Sequence, residues 1–466
     1  MKSSTRTELL RELRRELQAD SLLTEPEELL VYECDAYTVK KSVPDAVALP
    51  KSTEEVVRIV RICAKHGVPV IARGAGTGLA GGTIPRGGGV VISLTRMRRI
   101  VLTDLRNRLA LVEAGVLNLE LTRRLAGSGY HFAPDPSSQG AATIGGNVAT
   151  NAGGPHTLKY GVMLQHVAGL EWVDARGEIH QTGPLADPAE PDLTGLLVGS
   201  EGTLGIVTRI WCRLTPDPAA LRTFRVIFDS VDDATHVVSD IIAAGMVPAA
   251  MELMDRGMIA SIEAAFRVGF APDTEAVLIL EIDGAQAGLD AQQELIASIC
   301  ESHGAVEFLE ATDAAERASL WRCRKLAVGS VGRLRPAYVI QDGVVPRTRL
   351  PEILRRIAEI AAEHDVLIVN VAHAGDGNVH PILLFDERDS DEVVRVQAAG
   401  RAILHACIEL GGSVTAEHGV GIEKLEFMSE LYGDDDLATM RDVRRVFDPS
   451  RLLNPGKLIP DDAPCR

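Results

Sequence analysis

Three glycine-rich segments between residues 73 and 208 restrict what this 466-residue chain can fold into more than any other feature. They read RGAGTGLAGG at 73–82, TIGGNVATNAGG at 143–154 and GSEGTLGIVT at 199–208. Glycine lets a backbone turn tightly and approach a flat or anionic ligand closely. One such segment is a weak signal, but three in one stretch of chain indicate a site for a large, extended cofactor.

The first segment contains GxGxxG at 76–81, the pattern of a Rossmann dinucleotide site. That site requires a helix to begin at the loop, so that the helix N-terminus meets the pyrophosphate. The residues that follow, GTIPRGGG at 82–89, cannot form a helix. We therefore expect a loop that wraps an anion with backbone N–H groups. The alternative is a flexible surface loop.

Composition excludes several classes of function. The net charge is −17, and an acidic surface argues against nucleic acid as a partner. No apolar run reaches the ~18–20 residues that span a bilayer. The seven cysteines are dispersed without a CxxC pair, which excludes a zinc ribbon or a ferredoxin-type cluster and favours a reducing compartment. We expect a cytoplasmic protein, with peripheral attachment at the inner membrane face as the alternative.

Two histidines flank a Gly-Asp-Gly-Asn turn in the second half of the chain. His373 and His380 lie on the two runs that this turn folds back on each other, so both rings can face one site. Two imidazoles and a carboxylate bind Zn²⁺ or a similar metal, and Glu417 is the candidate carboxylate. Its neighbour His418 is the candidate base. For a lone histidine, a packed or surface role would be the better interpretation.

The three glycine segments together resemble the FAD-binding domain of the vanillyl-alcohol oxidase / p-cresol methylhydroxylase flavoprotein superfamily, and the second half of the chain matches too. The resemblance implies non-covalent FAD, because residues 73–82 lack the histidine that some members bond to the flavin. The FAD-binding residues that it implies are Arg73, Gly74, Ala75, Gly76, Thr77, Gly78, Gly81, Gly82, Pro136, Ser138, Thr143, Gly145, Gly146, Asn147, Thr150, Asn151, Gly153, Glu201, Gly205, Ile206, Val207 and Asn454.

Within the superfamily the chain is most similar to the bacterial glycolate oxidase catalytic subunits, and also to FAD-linked D-lactate and D-2-hydroxyglutarate dehydrogenases. This resemblance implies that His373, His380 and Glu417 hold a divalent metal, with zinc expected and manganese or iron as alternatives. It implies His418 as the active-site base and Arg324, three residues after Trp321, as the group that grips the substrate carboxylate. Asn378 is expected to assist.

The resemblance also implies an α+β fold, with a two-part FAD-binding domain of the p-cresol methylhydroxylase type and a ferredoxin-like catalytic cap. The strand–helix alternation after Pro216–Pro218 indicates the same cap. We expect an N-terminal helical segment at 1–39, which we interpret as a flap. The FAD-binding domain is expected at 40–218, the cap at 219–420, and a C-terminal segment returning to the FAD side at 421–466.

The expected reaction is oxidation of a small 2-hydroxy acid, glycolate or D-lactate, to the 2-keto acid, with hydride transfer to the flavin. Dicarboxylate-specific relatives tend to add a hydroxyl one turn after the arginine and a lysine in the next strand. In this chain the first position holds Val328 and the strand holds the run VIQ at 339–341, which weakens the 2-hydroxyglutarate alternative. A metal-dependent hydrolase and a non-catalytic flavin-binding subunit remain alternatives of other classes.

The reduced enzyme needs a separate electron acceptor, because the sequence has no iron–sulfur motif. A quinone, an electron carrier and an iron–sulfur partner subunit all fit this requirement. The sequence does not decide whether the chain forms a homodimer.

Overall fold

Short polar side chains fix the first turns of several helices. Ser52 accepts a hydrogen bond from the Glu55 N–H at 3.3 Å, and Gly67 ends the same helix with φ +61°. In the computed structural model, which describes residues 3–185, 187 and 191–461, the α-helices are α1 Ser3–Glu16, α2 Pro26–Leu29, α3 Thr53–His66, α4 Asn118–Leu125, α5 Ile144–Thr150, α6 Thr157–Tyr160, α7 Met163–His166, α8 Thr194–Leu197, α9 Val231–Ala243, α10 Arg256–Phe266, α11 Gln286–Ser302, α12 Ala314–Ser330, α13 Leu350–His364, α14 Ser390–Glu409, α15 Met428–Leu431 and α16 Asp434–Phe447.

The chain divides into two units. The first comprises Met1–Gly153, Gly161–Asp217 and Glu417–Arg466, and the second comprises Gly154–Tyr160 and Pro218–Ala416. Seven residues of the second unit therefore lie, along the sequence, between two segments of the first.

The first unit contains two main sheets and a short two-stranded one. Its strands are β1 Leu22–Leu23, β2 Ala46–Ala48, β3 Val70–Arg73, β4 Val90–Ser93, β5 Ile100–Asp104, β6 Leu109–Glu113, β7 Tyr130–His131, β8 Val167–Val173, β9 Ile179–Gln181, β10 Ile206–Arg213 and β11 Thr215–Pro216. One sheet has the order β1-β2-β4-β3, in which β4 pairs parallel with β2 and β3. The other has the order β5-β6-β10-β8-β9 and is antiparallel.

The N-terminal helix belongs to the core of this unit, and our interpretation of it as a flap is wrong. Leu9, Leu13 and Leu17 of α1 and its C-terminal flank are buried in the cluster that includes the apolar face of α3. Leu9 and Leu13 are completely shielded from solvent. Because leucines three to four positions apart share one side of a helix, this side packs while the charged side stays in water.

The second unit is built on one sheet of eight strands. They are β12 Ala220–Phe228, β13 Ala250–Asp255, β14 Ala276–Gly284, β15 Glu307–Glu310, β16 Ala337–Ile340, β17 Gly343–Val344, β18 Leu367–His373 and β19 Asn378–Phe385. The order is β15-β12-β14-β13-β18-β19-β16, with β17 also paired to β19. Strands β13 and β14 are buried almost throughout, which matches their long apolar runs.

Candidate active site

The Gly-Asp-Gly-Asn turn joins β18 and β19 and brings two histidines together in the second unit. His373 ends β18, and His380 lies on β19 two residues beyond the cross-strand partner of His373, which is Asn378. Residues in this diagonal relation lie on the same face of a sheet. The ring centroids of the two histidines are 5.0 Å apart and the rings are nearly perpendicular, at 88°. The predicted convergence of the two imidazoles is therefore present in the structure.

Hydrogen bonds fix which nitrogen of each ring carries the proton. His373 Nδ1 lies 2.6 Å from a carboxylate oxygen of Glu252, and His380 Nδ1 lies 3.3 Å from the carbonyl oxygen of Gln341. A carbonyl or an ionised carboxylate oxygen can only accept, so Nδ1 donates in both rings. In the neutral imidazoles Nε2 then carries the lone pair that could bind a metal. Metal-ligating histidines are commonly held in this way, so this donor set fits a divalent cation.

Glu252, which is not among the predicted residues, lies on β13 opposite His373 and is completely buried. One carboxylate oxygen accepts from His373, and the other accepts from Nε of Arg324 at 2.6 Å. Burial alone would raise the pKa of Glu252, but His373 and Arg324 outweigh it, and the pKa lies below its ordinary value. The available signal was an acid inside the apolar run AMELM of this strand, which ends at Asp255.

Arg324 lies on α12 and is 4% exposed. Its helix is also attached to the sheet one turn earlier, where Trp321 Nε1 donates to Glu281 at 2.8 Å. The arginine is therefore a buried, paired cation, and its role as a solvated charge on a helix surface is excluded. A buried charge must have partners, and Glu252 is one of them.

A second buried carboxylate, Asp342, lies beside His380. Its oxygen is 3.9 Å from His380 Nδ1. It also accepts from the Thr415 hydroxyl at 2.6 Å and from the Ala416 N–H at 3.0 Å. Asp342 is not among the predicted residues. Ala416 is followed along the chain by the predicted ligand and base, Glu417 and His418, which begin the last segment of the first unit.

Asn378 is the remaining predicted residue of this group in the second unit. It is 2% exposed, and its side-chain oxygen has no hydrogen-bond partner among the residues that the structure describes. A buried acceptor without a partner is costly. Such an atom is suited to a ligand.

In the first unit, the first glycine segment follows β3 as a loop, and no helix begins there. The confirmed absence of this helix excludes the Rossmann arrangement. Within the described chain, the backbone N–H groups of residues 75–78 donate to no other residue. The Arg73 side chain stabilises the loop by donating to the Cys34 carbonyl at 2.7 Å and to the Thr83 hydroxyl at 2.9 Å. Open N–H groups on a braced glycine loop fit a pyrophosphate.

The second glycine segment forms the short helix α5. Thr143 caps it by accepting from the Gly146 N–H at 3.1 Å, so its hydroxyl is used within the protein. A Cβ at Gly145 would lie 2.6 Å from the Ala114 Cβ, which explains that glycine by packing. Asn147 is 4% exposed, and its side-chain nitrogen has no hydrogen-bond partner among the described residues. It is a donor suited to a bound cofactor.

The third segment is tied to the C-terminal segment. Glu201 accepts from the backbone N–H groups of Val420 and Gly421 at 2.7 and 2.8 Å. Asn454 donates to the carbonyl oxygens of Gly82 and Glu201 at 2.9 and 2.7 Å. Side chains that were predicted to bind FAD therefore also hold these loops in place. Gly205 precedes β10, where a side chain would overlap the Trp172 ring.

The other predicted FAD-binding residues lie in the same unit. Pro136 and Ser138 lie in the loop between β7 and α5, Asn151 ends α5 with φ +53°, and Ile206 and Val207 begin β10. The glycine loop, the Asn147 donor and the interlocked third segment together fit an FAD.

The chain belongs to the family of FAD-linked oxidases. Residues 44–183 match the family model of an FAD binding domain, and residues 217–458 match that of the FAD linked oxidases, C-terminal domain. The chain is 41% identical over 456 residues to "Glycolate oxidase subunit GlcD" of Escherichia coli (strain K12), covering 98% of this chain and 91% of that protein. It is 33% identical over 419 residues to "D-lactate dehydrogenase" of Archaeoglobus fulgidus, covering 89% and 91%.

The fold is shared with p-cresol methylhydroxylase solved with substrate bound. The TM-score is 0.84 at 19% identity, covering 98% of this chain and 97% of that one. The predicted two-domain FAD-binding fold of mixed helices and sheets is confirmed. By its family and relatives, the chain is an FAD-dependent oxidoreductase. In the described part of the chain, no helix is both long and apolar enough to cross a bilayer.

Proposed function

We propose that this protein oxidises a small 2-hydroxy monocarboxylate, glycolate or D-lactate, to the corresponding 2-keto acid, with non-covalent FAD as the oxidant. The observation that carries the proposal is the buried series of contacts from Arg324 through Glu252 to His373. It holds a carboxylate-binding group beside a metal-binding group, and a 2-hydroxy acid offers a carboxylate and a hydroxyl on adjacent carbons. The names of the relatives, glycolate oxidase subunit and D-lactate dehydrogenase, support the same substrate class.

In this proposal His373 and His380 hold a divalent metal through Nε2, and Glu417 supplies the third protein ligand. Glu417 is included because it follows Ala416, whose N–H is held by the same Asp342 that lies beside His380. The metal, when bound, makes the substrate hydroxyl easier to deprotonate. Zinc is the expected ion because of its preference for nitrogen and carboxylate ligands, with manganese and iron as alternatives.

The chain's own residues bind the substrate and move one proton. Arg324 holds the carboxylate, a task for which its planar guanidinium is well shaped. His418 accepts the proton of the substrate hydroxyl. Asn378 orients the substrate with its buried side chain. The flavin, when bound, accepts the α-hydrogen as hydride.

The FAD would be held by the three glycine segments and Asn454 in the first unit. The N–H groups of residues 75–78 would face the pyrophosphate, and Asn147 would donate to the cofactor. The two electrons would leave to a separate acceptor, either a quinone, an electron carrier or an iron–sulfur partner subunit. We propose a cytoplasmic location because of the dispersed cysteines, and a homodimer stays a prediction.

Anaerobic titration of the purified protein with glycolate, D-lactate, L-lactate and D-2-hydroxyglutarate tests this function. We expect a flavin spectrum that glycolate or D-lactate bleaches. D-2-hydroxyglutarate should bleach it less, because Val328 provides no hydroxyl for a second carboxylate. A protein without flavin absorbance would indicate a hydrolase instead. A flavin that no 2-hydroxy acid bleaches would indicate a non-catalytic flavin-binding subunit, and preferential bleaching by D-2-hydroxyglutarate would indicate the dicarboxylate enzyme.

A further inference from the structure

We propose that Glu252 is a positioning residue that sets the metal affinity and the substrate affinity together, through one carboxylate that serves both His373 and Arg324. The inference rests on the proposed function, because it assigns those two residues to metal and to substrate. Glu252 itself would contact neither ligand.

Two donors converge on this side chain. His373 Nδ1 is 2.6 Å from one carboxylate oxygen, and Arg324 Nε is 2.6 Å from the other. A side chain that accepts on both of its terminal atoms is therefore required at this position. Glutamine has the same length but only one accepting atom, so its amide N–H would face one of the two donors. Glutamate is the residue of this length that satisfies both.

The rigidity of the surroundings makes the requirement strict. Glu252 is completely buried on a central strand of the sheet, and its cross-strand partner on β18 is His373 itself. Arg324 is carried by a helix that Trp321 fixes to Glu281 on the neighbouring strand β14. Both donor side chains are themselves buried, so neither finds a water molecule in place of the carboxylate when Glu252 changes. Loss of either hydrogen bond would misalign the group that made it.

The contact with His373 has a direct consequence for metal binding. While Glu252 accepts from Nδ1, the proton stays on that nitrogen and the lone pair stays on Nε2. Without the carboxylate the ring can rotate or exchange its tautomer. Loss of a partner of this kind typically weakens metal binding by about 10–100-fold. The contact with Arg324 has a parallel consequence for the substrate, because a misplaced binding group raises KM.

The test compares Glu252→Gln with Asp255→Asn in the full-length holoenzyme. Asp255 is a matched control, since it is a partly buried carboxylate on the same strand that also accepts on both oxygens, from the Met258 N–H and from Asn370. It contacts neither His373 nor Arg324 in the hydrogen bonds and ion pairs of the described chain. Zn²⁺ affinity is measured by competition with a chromophoric chelator, the Co²⁺-loaded protein gives the ligand-field spectrum, and steady-state kinetics give KM.

For Glu252→Gln we expect a Zn²⁺ Kd raised about 10–100-fold, a changed Co²⁺ spectrum and a raised KM, with FAD content unchanged. Asp255→Asn should lower Tm and leave the Zn²⁺ Kd, the spectrum and KM as in the wild type. Glu252→Asp should be intermediate, because a shorter side chain can keep one of the two bonds.

Three contrary results are distinguishable. A wild-type protein that binds no divalent metal would overturn the metal site of the proposed function. A wild type that binds metal, together with a Glu252→Gln variant that binds it equally well at unchanged KM, would overturn the positioning role alone. Equal losses of metal affinity in Glu252→Gln and Asp255→Asn would reduce the role to general stability of the strand.

Discussion

Arg324 differs from the ordinary picture of a substrate-binding arginine because it is buried and already paired. Replacement by alanine would leave Glu252 as an unpaired buried charge, which typically costs about 3–5 kcal/mol of stability. Arg324→Lys is the cleaner change, because it keeps the charge and loses the planar fork. We expect KM for the hydroxy acid to rise at least about tenfold, with normal FAD content. Steady-state kinetics and the flavin spectrum check this, and an unchanged KM would place the carboxylate site elsewhere.

The roles proposed for the histidines can be separated by comparing two substitutions. His380→Ala removes a metal ligand, so metal content and activity should fall together. His418→Ala should keep metal and FAD, while flavin reduction slows by about 10²–10⁴-fold, which is the usual contribution of a general base. Metal analysis and single-turnover flavin reduction provide both readouts. Loss of metal in His418→Ala would instead identify His418 as a ligand.

Glu201 should make the stability of the protein depend on pH. Burial raises the pKa of this carboxyl to about 7, against the opposing hydrogen bonds from Val420 and Gly421, from an ordinary value of 4.5. Because the folded state binds the proton more tightly, the stabilising contribution is complete below pH 4.5 and is lost as the pH rises through 7. Lys457, whose pKa is lowered to about 8, stays protonated over most of this range.

The corresponding measurement is the difference in Tm between wild type and Glu201→Gln from pH 4.5 to 7.5. Glutamine cannot titrate, so we expect the wild type to lose stability relative to the variant as the pH rises. All other titrating groups are the same in the two proteins, so their contributions to stability cancel in the difference in Tm. Parallel Tm curves would contradict the shifted pKa.

At the level of elements, the turn that joins β18 and β19 requires a glycine at position 377. Gly377 has φ +81°, and a Cβ there would overlap the carbonyl oxygen of Val345. Gly245 has nearly the same φ, +82°, with nothing within 4 Å of the Cβ position. Gly245→Ala should therefore cost only the backbone term of about 1 kcal/mol.

Gly377→Ala adds the steric conflict, so we expect a larger fall in Tm together with reduced metal content, because the turn sets the separation of His373 and His380. Thermal denaturation and metal analysis of the two variants check this. An equal loss of stability with full metal content in both would show that the turn tolerates a side chain.

The same hairpin shows why some elements could be predicted from the sequence. Its turn residues and its flanking apolar runs are local signals, and local signals determine where strands reverse. For Glu252 the local signal, an acid inside an apolar run, does not identify its partners, and Asp342 carries no local signal. Their roles depend on partners more than 70 residues away, such as Arg324 and Thr415. The helix α1 was misinterpreted for a similar reason, because only its packing against α3 shows that it belongs to a core.

For the whole molecule, the main prediction concerns how the cofactor is held. The first glycine loop contains no histidine or cysteine, so it offers no side chain for a covalent bond to the flavin. Acid precipitation should release FAD into the supernatant, and flavin that stays with the pellet would contradict this. Adding FAD at 100 times its Kd to the apoprotein should stabilise it by about 2.7 kcal/mol, which is measurable as a rise in Tm.

The seven residues Gly154–Tyr160 limit how freely this architecture can be recombined. They lie between two pieces of the first unit but belong to the second, where His156 bonds to Glu281, and Lys159 and Tyr160 both bond to Asp283. A fragment of residues 218–416 expressed alone would leave these two carboxylates without those partners. Exchange of caps between relatives must therefore transplant two stretches of sequence together. Among relatives that differ in substrate preference, we expect the segment 154–160 to vary together with residues 218–416.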